Sequence, residues 1–131
     1  MFRISLFFLI LLSLVACKPP EAKDSSSSSA QNSGPQIRIE TDGDPVLGTT
    51  PIVVYVLQNG EGVSGAQIEI TGDMTHAGMV PVIAQAVESE KGLYRADDFA
   101  FTMAGDWILT ADIEMADGEK VRAEKSLTIV K

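Results

Sequence analysis

The chain has 131 residues, with 18 acidic side chains against 10 basic ones and a formal net charge of −8. That length holds one domain and hardly two. The acidic balance argues against nucleic-acid binding, which needs a basic face, and against electrostatic attraction to anionic lipid.

Residues 1–16 read as a secretory signal peptide. Arg3 places a positive charge near the start, and an apolar run from Phe7 to Leu12 continues through Leu14, Val15 and Ala16. The run is shorter than the roughly 20 apolar residues of a membrane span, and it ends in a small residue. The competing reading is a short anchor that stays attached. Leu14-Val15-Ala16-Cys17 resembles the lipobox of bacterial lipoproteins. The resemblance implies a diacylglyceryl thioether on Cys17, cleavage before it, and a fatty acid such as palmitate on the new amine. More than one acyl chain gives stable membrane anchoring. Lys18 stands where an inner-membrane retention signal would have Asp. That favours the periplasmic side of an outer membrane in a cell that has one, an extracytoplasmic location in either case. Cleavage removes Arg3, leaving 9 basic against 18 acidic groups, a net charge of −9. Cys17 is the only cysteine, so the exported domain has no disulfide and depends on its core.

Residues 17–35 read as the lipidated cysteine and a flexible tether, with Pro19-Pro20, Ser25 to Ser29 and Gln31-Asn32-Ser33-Gly34. About 17 such residues span roughly 20–25 Å, enough to hold a domain clear of the headgroups.

Residues 36–131 form the folded domain. Ile37 and Ile39 alternate in a first strand, and Pro51 to Leu57 is an apolar, β-branched run of a centrally buried strand. Gln58 to Gly62 reads as a turn, followed by Ala66, Ile68 and Ile70 alternating with polar positions. Val82 to Val87 and Leu93 to Arg95 are further strands, and Phe99 and Phe101 alternate after them. Trp107, Leu109, Ala111, Ile113 and Met115 alternate cleanly, Asp117-Gly118 is a hairpin turn, and Val121 to Val130 closes the domain with Leu127 and Ile129 inward. No segment has helical periodicity. About seven short strands in about 95 residues predict an all-β, immunoglobulin-like β-sandwich.

Gly72 to Pro81 departs from strand logic. It holds the only histidine, His76, and two of the five methionines, Met74 and Met79. Thioether and imidazole are suitable ligands for copper, especially Cu(I). Met103, beside a turn, supplies a fourth donor if the two loops meet. Methionine is also a common core gap-filler. Met103 shares parity with Phe99 and Phe101, and Met115 with Trp107 and Ile113, so Met115 reads as core and Met103 carries both readings.

No catalytic constellation is visible. Asp73 lies near His76, but the serines within the domain are Ser64, Ser89 and Ser126, in turns and the last strand. Asp97-Asp98 reads as a solvated bend, since adjacent strand residues point to opposite faces. The chain is expected not to be an enzyme.

Asp44-Pro45-Val46-Leu47-Gly48, the run from Ile52 to Leu57, Gly65-Ala66-Gln67-Ile68, the Met/His loop ending in Pro81, Gly92-Leu93-Tyr94 and Phe101-Thr102-Met103-Ala104-Gly105-Asp106-Trp107 occur in this order. Together they resemble the YtkA-like domain, a small exported module related to the FixH group. The resemblance implies an immunoglobulin-like sandwich, often lipid- or membrane-tethered, in some relatives associated with copper handling or haem-copper oxidase assembly. It implies Met74, His76 and Met79 as loop donors, in a loop sparser than in Met- and His-rich relatives. Two functions follow as expectations: a copper-binding or oxidase-assembly accessory with a protein partner in the envelope, or an interaction module without metal.

Overall fold

The computed structural model describes residues 34–76 and 78–130. Residues 1–33, with the expected signal peptide, Cys17 and most of the expected tether, lie outside the described residues.

Seven longer strands carry the fold: β1 (Gln36–Thr41), β3 (Ile52–Gln58), β5 (Gln67–Met74), β6 (Val82–Glu90), β7 (Leu93–Ala96), β9 (Gly105–Glu114) and β10 (Lys120–Ile129). Three two-residue strands complete the set among the described residues: β2 (Gly48–Thr49), β4 (Glu61–Gly62) and β8 (Ala100–Phe101). Every pairing between them is antiparallel, and the order is β1-β3-β7-β6-β5-β9-β10. β6 belongs to both layers. Val82 to Ala86 pair with β5, and from Val87 onward the strand pairs with β7, with a register shift between Glu88 and Glu90. Strands that switch sheets in this way make the corners of a sandwich. The first, second and fifth long strands thus face the third, sixth and seventh, the arrangement of an immunoglobulin-like sandwich.

The alternation in the sequence appears directly as burial. In β9, Trp107, Leu109, Ala111 and Ile113 are buried, and Met115 follows them into the core. In β3, Ile52, Val53, Val54 and Val56 are all buried, as the unbroken apolar run requires. Phe101 stacks edge-on against Phe99 and Trp107, with centroids 5.1 and 5.2 Å away. Edge-to-face pairs of this kind add about 0.5–1.5 kcal/mol beyond area burial. Asn59 and Gly60 both have positive φ, 53° and 82°, as a two-residue turn joining twisted strands demands.

Strand direction sorts the connections to two poles. Segments 42–51, 75–81 and 97–104 and the end of β10 share one pole. The start of β1 and the turns at 59–60, 63–66, 91–92 and 115–119 share the other. The described chain therefore enters β1 at the pole opposite the Met/His segment.

Candidate metal centre at one pole of the sandwich

The excursion predicted for Gly72 to Pro81 is shorter than the sequence suggests. Gly72 and Asp73 are strand residues, and β5 continues to Met74. A Gly-Asp pair resembles a turn, but Gly72 is bare for packing: a Cβ there would collide with the Phe99 ring. The irregular segment is 75–81.

Met74 ends β5 opposite Trp107 and is 6% exposed, inside the core cluster. His76 is exposed, and Met79 is partly buried against the core. The segment lies directly against the 102–106 turn. The Thr75 amide donates to the Asp106 carbonyl at 3.2 Å. The Thr102 hydroxyl donates to the Met79 sulfur at 3.9 Å. The bare α-carbon of Gly105 forms the floor between them. A Cβ there would sit 2.7 Å from the Met74 methyl and 3.7 Å from Cε1 of His76. The two loops that had to meet for a four-donor site do meet.

Met103 corrects one reading. Its parity with Phe99 and Phe101 suggests core, yet it is 49% exposed. β8 ends at Phe101 and the chain turns outward. The buried Trp107 indole fixes that turn by donating to the Met103 carbonyl at 3.0 Å. Phe101 and Trp107 are thus anchors, Gly105 is the gap, and Met103 is displayed.

The donor chemistry fits a soft monovalent cation. Thioether sulfurs are neutral and polarisable, and one imidazole adds a nitrogen. Among the described residues no cluster of three or more His, Cys, Asp or Glu side chains has the composition of a hard or zinc-type site.

Sequence reasoning assigned no role to Gly105 or Thr102, although both lie inside the Phe-x-Met-x-Gly-x-Trp stretch. It also passed over Val46, Leu47 and Val80, which lie exposed at the same pole. Their apolar character gave no sign of it, because the segments become neighbours only through the antiparallel topology.

Residues 29–112 match the YtkA-like family, well over half of the chain. The chain belongs to that family. No curated protein matches this YtkA-like chain. Among solved structures it is similar to selenomethionine PcoC, a copper resistance protein from Escherichia coli. The identity is 14%, over 65% of this chain and 87% of PcoC, with a TM-score of 0.39. That likeness is too loose to transfer the role of any residue.

Proposed function

We propose that this YtkA-like protein is an extracytoplasmic, lipid-anchored accessory module that binds Cu(I) at its loop pole and presents it for metalloenzyme assembly. Binding rather than catalysis is its task. The supporting observation is the cradle at Gly105, where an added side chain would strike the Met74 methyl and approach the His76 ring. Met74, His76 and Met79 would hold the ion, with Met103 on the exposed rim as a fourth donor. Membership of the YtkA-like family and the copper association implied by that resemblance favour the same reading. Lipid on Cys17 would hold the start of the chain at the membrane. The entry of β1 at the opposite pole leaves the Met/His segment at the far end of the domain.

Anaerobic Cu(I) loading followed by X-ray absorption tests the donor set. Two or more sulfur scatterers with one nitrogen support it. A shell of oxygen alone, or no bound copper, contradicts it.

A second reading has its own observation. Met74 is nearly as buried as the aromatic core beside it, so a purely structural thioether would leave the pole as a docking surface without metal.

A further inference from the structure

Five of the seven exposed large hydrophobic residues among those described lie at the loop pole: Val46, Leu47, Val80, Met103 and Val130. Val80, in the 75–81 segment, is 83% exposed. Val46 and Val130 are bridged to each other, which brings the 42–51 segment beside the end of β10. Exposed apolar residues gathered at one end of a domain point to an interaction surface, whereas ones scattered singly are ordinary.

Among the described residues, the connecting segments at this pole carry acidic side chains and neither lysine nor arginine. Asp42 and Asp44 lie in one segment, Asp97 and Asp98 in another, with Asp73 and Asp106 at the adjoining strand ends. Segments 42–51, 75–81 and 97–104 contain no lysine or arginine. Arg95, near the end of β7, is already taken: its Nη2 lies 2.8 Å from Asp42 and 3.0 Å from Asp97. An apolar centre with a charged rim is the general anatomy of a protein interface. Here the rim selects the partner. A second copy would bring the same aspartates, and like charges across an interface cost several kcal/mol. An anionic membrane is repelled for the same reason.

We propose that this pole docks a protein whose contact surface is an apolar patch bordered by lysine and arginine. The proposal extends the copper reading by naming the class of protein that the site faces, and it rests on that reading only for the cargo. Docking itself needs no metal.

The test uses the full chain in zwitterionic lipid nanodiscs, metal-free, followed by amide chemical shifts. The probes are an alternating Lys-Leu peptide, a Glu-Leu peptide of equal length and a Lys-Gly peptide. The Lys-Leu peptide shifts residues 42–48, 78–80 and 97–106, the Lys-Gly peptide binds more weakly, and the Glu-Leu peptide shifts none of these segments. The paired change Asp44→Asn with Asp98→Asn weakens binding by about tenfold, as loss of complementary rim charge should. Val80→Ser weakens it at unchanged charge. Equal binding of the Glu-Leu peptide, shifts confined to the outer face of β9 and β10, self-association through this pole, or no binding overturns the proposal. Because no copper is present, these outcomes stand apart from the success or failure of Cu(I) binding.

Discussion

The methyl carbon of Met74 lies 2.7 Å from the point where a side chain on Gly105 would begin, and Gly105 holds φ at +136°. The left-handed backbone favours glycine at this position, and an added Cβ would push the Met74 methyl aside. Gly105→Ala is expected to displace the Met74 head and to lower Cu(I) affinity by at least about tenfold, or 1.4 kcal/mol. Backbone strain alone costs about 1–3 kcal/mol of stability. Gly48→Ala is the control, because Gly48 has φ +101° with nothing within 4 Å of an added Cβ. Competitive Cu(I) titration of both variants checks this. Equal losses of affinity would show that strain, and not the contact, is responsible.

Trp107 is fully buried, stacked on Phe101 and bonded to the Met103 carbonyl. Trp107→Ala is expected to cost about 3–5 kcal/mol in denaturant unfolding. Trp107→Phe keeps most of the apolar volume but leaves the Met103 carbonyl without its donor, so it should loosen the 102–106 turn with a smaller loss. A change below about 1 kcal/mol for the alanine variant contradicts full burial of this ring.

At the opposite pole the Glu88 carboxylate is held below the ordinary carboxylate range, first by the Ser64 hydroxyl and then by the Gly65 amide, which donates at 3.0 Å. A depressed carboxyl pKa contributes stability that is present above the unfolded value and lost as pH falls through the folded value. Protection of the Gly65 amide should therefore hold from neutral pH through the ordinary carboxylate range and decline only below it. Glu88→Gln should remove that step. A decline beginning near neutrality assigns the effect to another group.

Cys17 lies outside the described residues, and its lipidation rests on the Leu14-to-Cys17 pattern and the apolar run before it. Metabolic labelling with a fatty acid should mark the wild type and leave Cys17→Ser unlabelled. Equal labelling ends the lipoprotein reading.

The sandwich was legible because alternation in a two-sheet core is a local signal. Trp107 to Ile113 announces its inward face residue by residue, and Asn59-Gly60 announces its turn. Gly72 was misread, and Met103 was left between core and donor, because their environments are set from a distance. The Trp107 hydrogen bond turns Met103 outward, and the Phe99 ring over Gly72 keeps a glycine inside a strand. The candidate site was half legible. Its soft donors stand out in the sequence, while the Gly105 floor and the apolar, aspartate-rimmed pole arise only when three distant segments are brought to one end.

The measurement that bears most directly on this account is the Cu(I) affinity of the wild type beside Met74→Leu/Met79→Leu. Leucine keeps apolar volume at two positions packed in or against the core, so the variant should fold with a stability loss below about 1.5 kcal/mol for each change. The wild type is expected to bind one Cu(I), and the double variant to lose it. Equal Cu(I) affinity in the two proteins would contradict that expectation.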